Sequence, residues 1–253
     1  MSSHISMLRR QAHGALVIAK KNALLYYLKS PVLIFGVLFP VFFFLAFKMG
    51  RDIPAERVVP GMVAMALWFT ASAVGPLVTP WERRARTYER LISSPLSLRA
   101  ILAGDVLSGF VFGAAFTAVP VALGLLLSDA SVESAGLLVL GVVLGALAFS
   151  SLGVLLAAPP ASSPSHIMML SNLVRLPLLF VSGVFVPVAE MPSWARWLAP
   201  VSPLSYAGDL IRRGFGEGGY FPVALSAAVL PAFVVVMFCC ACAFHRRWRS
   251  KGL

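Results

Sequence analysis

Hydrophobic positions fall into six long runs along this chain, separated by shorter polar stretches. Each run approaches the roughly 20 mainly apolar residues that a helix needs to cross a bilayer. The pattern predicts six membrane-spanning helices, at residues 31–47, 58–80, 106–127, 135–158, 167–188 and 221–244. The first run is the shortest, and it borrows apolar residues from 24–28 at its start.

The composition agrees with lipid as the main solvent. Of the 253 residues, 59% are hydrophobic and only 12% are charged, whereas soluble domains average about 25% charged residues. The mean hydropathy is +0.86. These values exclude an ordinary soluble domain and predict an all-α, polytopic membrane protein.

The net charge of +11 is concentrated at the ends of the apolar runs. Fourteen of the 21 Lys and Arg lie on one predicted side and six on the other. The two sides consist of residues 1–30, 81–99 and 245–253, against residues 48–57, 128–134 and 189–220. Because cytoplasmic loops carry the excess of cations, this distribution places both termini in the cytoplasm of a cell membrane. A nucleic-acid-binding surface would instead spread its cations over one face of a fold.

Three regions follow from this pattern: a cytoplasmic N-terminus at 1–30, a membrane domain at 31–244 and a basic cytoplasmic tail at 245–253. Within the first, Leu8, Ala12, Ala15 and Ala19 follow helical spacing between cations that prevent spanning. An amphipathic helix along the membrane interface is therefore predicted. The alternative is that this stretch is only the basic flank of the first span.

Residues 81–99, here called the basic connector, join the second and third predicted spans. They carry five arginines with Glu82 and Glu89, and their Ser94-Pro95-Leu96 sequence ends a short helix. Leu91 and Ile92 offer an apolar contact, and the arginines offer charge-assisted contacts to carboxylates. The connector is either a docking element for a partner or a positive-inside anchor that touches lipid phosphates only.

Small residues mark predicted packing faces in the third and fourth spans. Gly109 and Gly113, and likewise Gly141 and Gly145, have the G-x-x-x-G spacing that lets helices approach closely in lipid.

The segment 189–220 is too polar to span and too aromatic for a free loop. Its Trp194, Trp197, Tyr206 and Tyr220 favour the membrane interface. The sequence predicts one or two short helices at the outer leaflet.

Charged residues in and near the last spans have competing interpretations. Arg175 lies inside the fifth span, where a cation needs a partner or water. It either faces a transport pathway and meets an anionic substrate or head group, or it pairs with Asp105 or reaches the inner surface. Glu190 and Asp209 either gate release, pair with Arg196 and Arg212, or are solvated surface charges, which we favour.

Catalytic and metal chemistry finds little support in the sequence. No G-x-x-x-x-G-K-[ST] phosphate-binding motif is present, and G-x-G-x-x-G at 214–219 precedes an apolar span rather than opening a helix in a βαβ unit. Cys239, Cys240, Cys242 and His245 lack the two spaced ligand pairs of a zinc site. The chain is predicted to have no enzymatic activity, metal or cofactor of its own.

Two stretches resemble the ABC-2 type exporter permeases. The first runs from the fifth span into the segment after it, and its matching residues are Pro177, Ser182, Gly183, Phe185, Pro187, Met191, Pro192, Trp194, Pro203, Leu204, Tyr206, Asp209 and Arg212. The second is the connector, matched by Glu82, Arg83, Thr87, Glu89, Leu91, Ser94, Pro95 and Leu96. One departure is Arg86, which stands where this family usually has glycine.

The resemblance implies a permease subunit that pairs with a second permease, the same chain or a sibling, and docks on two ABC ATPase subunits. ATP and Mg would then bind those partners. The connector would be the coupling helix, with Arg84 and Arg86 among its contacts, and the residues of the fifth span would line or gate the pathway. The substrate would be a drug, a lipid, a glycolipid or a polysaccharide. The alternative is a secondary transporter or channel without an ATPase; such proteins usually carry intramembrane acids.

Overall fold

The computed structural model describes residues 2–27, 55–160 and 163–249, with isolated positions between 34 and 46. The first predicted span, 31–47, therefore lies outside the described residues apart from those positions.

The described chain is helical throughout and contains no strand. A π-helical turn (Ala23–Tyr27) follows the first helix, and two 3₁₀ turns (Val188–Glu190 and Ala199–Val201) flank the eighth. The α-helices are α1 (Ser2–Asn22), α2 (Ala55–Ala71), α3 (Val74–Arg84), α4 (Thr87–Ile92), α5 (Leu98–Leu127), α6 (Ala135–Leu156), α7 (Pro164–Phe180), α8 (Ser193–Leu198), α9 (Pro203–Gly214) and α10 (Val223–Arg249).

Four helical stretches of the described chain are long and apolar enough to cross a membrane: Arg57–Arg84, Leu98–Leu127, Ala135–Leu156 and Val223–Arg247. The first combines α2 and α3, so the predicted span at 58–80 is interrupted at Ser72 and Ala73. The fifth predicted span, 167–188, is shortened, because α7 ends at Phe180. The chain then turns at Gly183, whose φ of +88° suits glycine.

The core is built around α2, whose inner face is fully buried. Trp68 of α2 meets Phe149 of α6 edge to face, with ring centroids 4.8 Å apart. The spaced glycines let the helices approach closely: a Cβ on Gly113 would lie 2.6 Å from the Cβ of Ala71, and one on Gly145 3.0 Å from the Cβ of Ala207. These close approaches follow the predicted small-residue faces.

Helix α9 packs along the first half of α6. It runs beside α6 from Gly214, against Leu138, to Ala207, against Gly145. Gly145 is about 15 Å along α6 from its first residue, so α9 reaches the level of the middle of that helix. This depth does not contradict the short helices expected at the outer leaflet, which stay a prediction.

Candidate functional site

The basic connector folds as two short helical pieces joined by a tight turn. Helix α3 extends the second span to Arg84, and α4 begins at Thr87. Between them Arg86 has φ +55°, a left-handed conformation that disfavours residues with a Cβ. The glycine that the family usually has at this position would adopt it without strain. After α4, Ser97 caps the start of α5 by accepting a hydrogen bond from the Ala100 amide.

Helix α1 holds both ends of the connector. Lys21 forms an ion pair with Glu82 at the end of α3. Further along the connector, Gln11 accepts a hydrogen bond from the Ser97 amide at 2.8 Å and donates one to the Pro95 carbonyl at 3.3 Å. The Leu96 side chain packs on Gly14. The connector is therefore clamped to the N-terminal helix.

Two other parts of the fold hold the middle of the connector. Arg83 donates to the Pro159 carbonyl in the turn between α6 and α7, and its guanidinium lies 5.3 Å from the centre of the Tyr88 ring. The Tyr88 hydroxyl is 3.2 Å from Nδ1 of His245 in α10. Burial raises the pKa of Tyr88, so its hydroxyl keeps its proton near neutral pH.

These contacts divide the predicted coupling residues into two groups. Glu82 is buried and Leu96 faces α1, so both belong to the internal clamp. Arg83, Leu91 and Ser94 are half-buried. The exposed members are Arg84, Arg86, Thr87 and Pro95, and with the neighbouring exposed Arg90 they form a basic surface. The side chain of Glu89 lies outside the described residues.

At the other end of α2 and α6 the structure contains a cavity of about 690 Å³. It lies between the start of α2, the loop 182–190, α9 and the loop 217–220. Ser182, Gly183, Phe185 and Pro187, four of the six predicted pathway residues, line it. Arg175 and Pro177 belong to α7 and are not among its lining residues.

Two of the charged residues that line this cavity, Arg212 and Asp209, bind backbone groups. Arg212 donates to the Gly183 and Val184 carbonyls at 2.6 and 3.2 Å, and it lies 3.5 Å from Glu217. Asp209 accepts a hydrogen bond from the Phe221 amide at 2.6 Å. The expectation of a solvated charge is therefore wrong for Asp209, which is buried, while Glu190 is exposed as expected.

The aromatic residues of the 189–220 segment separate in the same way. Trp194 and Trp197 of α8 are 66% and 83% exposed, in keeping with an interfacial role. Tyr206 of α9 is buried, with its ring centroid 4.5 Å from that of Phe221. Arg196 donates to the Ala189 and Met191 carbonyls rather than to a carboxylate.

Arg175 has neither of the partners that the sequence suggested. Its side chain is 3% exposed and donates to the Phe69 carbonyl at 3.0 Å. Asp105 instead accepts a hydrogen bond from Asn22 of α1 at 2.7 Å. Arg175 is therefore neither paired with Asp105 nor extended to the inner surface. Its place beside a transport pathway stays a prediction. Arg175 is thus accommodated by burial inside the fold and by its hydrogen bond to a backbone carbonyl.

Comparison with protein families shows which family this chain belongs to. The sequence profile of the ABC-2 type transporter family matches residues 15–215, which include the end of α1, the connector, the cavity-lining loop and α9. The chain belongs to the ABC-2 type transporter family. The resemblance noted in the sequence is thereby confirmed, and the chain is a permease subunit of a multi-pass membrane transporter.

Three relatives are bacterial proteins, and two of them are named as permeases. The daunorubicin resistance ABC transporter permease protein DrrB1 of Streptomyces coeruleorubidus is 27% identical over 81% of this chain and 73% of its own length. The inner membrane transport permease YadH of Escherichia coli is 27% identical over 77% of this chain and 76% of its own. Nodulation protein J of Bradyrhizobium diazoefficiens is 28% identical over 74% and 71%.

The residues that clamp the connector were not foreseen from the sequence. Lys21 and Gln11 reach partners in the connector more than 60 positions away, and Asn22 reaches Asp105 of α5. Their only local signal is that they belong to a helix with an apolar stripe. Helical spacing shows that such a face exists but does not say which loop packs against it.

Proposed function

We propose that this chain is the permease subunit of an ATP-driven exporter. A separate ABC ATPase docks on the basic connector, and the substrate is amphipathic or lipid-linked. Both termini and the connector face the cytoplasm, and the cavity faces outward. The permease works as a pair, with itself or with a sibling, above two ATPase subunits that bind ATP and Mg.

The observation that carries this proposal is the way the connector is presented. Its side chains are held by α1, by the turn at Pro159 and by His245 of α10, and Gln11 of α1 also binds its backbone, while Arg84, Arg86 and Arg90 are exposed. A surface that only anchors to lipid phosphates needs no such fixed geometry. A surface that receives mechanical force from a partner does, because a loose connector would absorb the motion.

The direction of transport and the class of substrate are inferred from the cavity and from the names of the relatives. The residues of the outward cavity lie mainly on α2, on α9 and on the loop after α7, and most of its walls are uncharged. One relative is named for daunorubicin resistance and another as an inner membrane transport permease. Apolar residues beside charged ones such as Arg57 and Glu190 favour an amphipathic molecule over a free ion or sugar.

A second permease subunit has a suitable surface on α7. Met169, Leu173 and Phe180 are 69%, 69% and 65% exposed and follow roughly helical spacing along one side of the helix. Such a stripe packs against either lipid or another subunit. With the cavity open beside the end of α7, we place the partner permease here.

The first experiment is co-purification of the detergent-solubilised permease with the ABC ATPase encoded beside it. Arg84→Glu/Arg90→Glu reverses two exposed cations of the connector without touching the clamp. The matched control, Arg9→Glu/Lys20→Glu, reverses two exposed cations of α1. We expect the connector variant to lose the ATPase, and the control to retain it.

The outcomes separate the interpretations. Equal retention by both variants would return the connector to membrane anchoring. Equal loss would indicate a general charge effect rather than a docking surface. If wild-type permease captured no ATPase, the secondary-transporter alternative would take its place.

A further inference from the structure

The inner wall of the cavity is formed where small residues of α2 and α9 face each other. Ala64 of α2 and Gly208 of α9 both line it. Of the described residues outside its own helix, only Ala64 would come within 4 Å of a Cβ built on Gly208, at 3.9 Å. The two helices therefore leave open space here, and a volume of about 690 Å³ suits a small molecule.

Most polar side chains of the cavity wall are already used by the fold. Ser182 and Ser205 donate their hydroxyl protons to backbone carbonyls, each at 2.6 Å. Asp209 accepts from a backbone amide, and Arg212 binds two carbonyls and lies 3.5 Å from Glu217. These groups have few hydrogen-bond donors left for a ligand, so the wall is poorly suited to the many hydroxyls of a sugar.

Two lining side chains of opposite charge remain. Arg57 lies at the start of α2 and Glu190 at the end of the loop 182–190, and both are exposed. Neither belongs to an ion pair of the described residues. Glu190 does interact electrostatically with Arg212, but that guanidinium is already held by carbonyls and by Glu217. The cavity thus offers a ligand one cation and one anion.

Aromatic side chains accompany these charges in the cavity wall. Tyr220 is 45% exposed and meets Phe221 edge to face, with ring centroids 5.0 Å apart. Phe185 stacks on Phe180 at 5.4 Å. A carboxylate such as that of Glu190 together with aromatic rings is suited to an organic ammonium group. The rings also provide apolar surface for a hydrocarbon chain.

We propose that the cavity binds a zwitterionic amphipathic molecule. Its phosphate or carboxylate faces Arg57, since a guanidinium matches the geometry of such anions. Its amino or quaternary ammonium group faces Glu190. A purely cationic amphipath would leave Arg57 unmatched, and a purely anionic one would leave Glu190 unmatched. The inference narrows the substrate class of the proposed function and rests on that function for the role of substrate, but not for binding.

The test measures binding to the permease alone in an uncharged maltoside detergent. Three probes share a dodecyl chain and differ in the head group: dodecylphosphocholine is zwitterionic, dodecyltrimethylammonium cationic and dodecyl phosphate anionic. Native mass spectrometry counts the probe bound per subunit over a range of concentrations. We expect dodecylphosphocholine to bind about fivefold more tightly than either other probe, because each of them lacks one ionic contact.

Substitution of one charge at a time should change the preferred head group. In Glu190→Gln the cation of Arg57 acts alone, so the preference should shift toward dodecyl phosphate. In Arg57→Gln it should shift toward dodecyltrimethylammonium. The control is Glu133→Gln, which neutralises an exposed acid that is not among the lining residues. It should keep the wild-type order of affinities.

A larger side chain on the inner wall should block the site. Gly208→Leu fills the space in front of Ala64 and should abolish saturable binding of all three probes. Gly136→Leu is the matched control, since a Cβ there would meet nothing within 4 Å and the residue does not line the cavity. If Gly208→Leu does not fold, the variants of Arg57 and Glu190 still decide, because both side chains are exposed.

Three results would overturn the proposal. The first is equal affinity of the wild type for the three head groups, and the second is a preference that neither charge variant shifts. The third is saturable binding that survives in a folded Gly208→Leu protein, which would place the probe elsewhere.

A further arm identifies the source of the ligand. Competition with dodecylphosphocholine by phosphatidylethanolamine, but not by phosphatidylglycerol, would indicate a membrane lipid. Competition by neither lipid would indicate a free amphipathic compound of the same charge. Because no ATPase is present, a permease that captures no ATPase leaves these results unaffected. A permease that captures its ATPase but shows no head-group preference would lose only this inference.

Discussion

The two polar ends of the molecule use the same kinds of residue in opposite ways. At the connector, Arg84, Arg86 and Arg90 are exposed, while Gln11 of α1 binds the connector backbone and Arg83 binds the Pro159 carbonyl. At the cavity, Arg212 and Asp209 are buried and bind backbone groups of the neighbouring loops. The three connector cations lie at the surface, whereas the two buried ions at the cavity build its wall.

This difference predicts where substitutions will cost stability. The cavity end depends on a few buried groups that satisfy fixed backbone atoms. The connector end depends on longer side chains that can adjust. Four comparisons of variants test this contrast, and they are given from the largest expected effect to the smallest.

Arg212→Ala should have the largest effect. It leaves the Gly183 and Val184 carbonyls buried without their donor, and each unsatisfied buried group costs about 1–3 kcal/mol. The apparent thermal unfolding temperature in a fixed detergent should fall well below that of Arg196→Ala. The control also removes hydrogen bonds to two carbonyls, but its side chain is exposed. Equal losses would show that burial at the cavity is not the cause.

A pair of glycines compares packing at the two ends. A Cβ on Gly214 would lie within 2.9 Å of backbone atoms of Leu138, which cannot move aside, so Gly214→Ala should cost about 1–3 kcal/mol. A Cβ on Gly14 would meet mainly the end of the Leu96 side chain. Gly14→Ala should therefore be close to neutral, since alanine also gains about 1 kcal/mol of helix propensity. Unfolding temperatures in one detergent decide this, and a reversed order would contradict the contrast.

The ion pair between Lys21 and Glu82 should show a measurable coupling energy. Lys21→Met leaves a buried carboxylate, whereas Lys21→Met/Glu82→Gln removes the charge as well. We expect a double-mutant cycle on unfolding to give a coupling of about 0.5–3 kcal/mol. Protease cleavage near α1 provides a second readout, because a released α1 is cut faster. If the effects of the two single changes on the free energy of unfolding were strictly additive, the ion pair would not contribute to the clamp.

Arg86→Gly should have the smallest effect, and it should be stabilising. The φ of +55° costs a residue with a Cβ about 1 kcal/mol relative to glycine, offset in part by the greater freedom of unfolded glycine. Arg86→Ala is the control, since it removes the same charge and keeps the Cβ. If both variants unfold at the same temperature, strain at this turn is absent.

Much of the fold followed from sequence patterns that act locally. Four of the predicted apolar runs correspond to the four candidate spans of the described chain. Helix α5 begins at Leu98, eight residues before the predicted third span. Helix α7 ends early because the chain turns near Gly183. The sequence alone does not show whether a glycine inside an apolar run marks a turn or a close contact between helices. Pro76 indicates the interruption at Ser72 in the sequence, but a hydropathy pattern does not distinguish proline from other residues of an apolar run.

The sequence by itself determined that this is a helical membrane protein with a basic connector, and which family it belongs to. These features depend on composition and on residues near one another in the chain. Only the tertiary structure decided that Glu82 is buried against Lys21, that Asp209 and Arg212 form the cavity wall, and that Arg175 binds a carbonyl of another helix. A charged residue in an apolar setting must find a partner, but its choice depends on which distant segment the packing of small residues brings within hydrogen-bond distance.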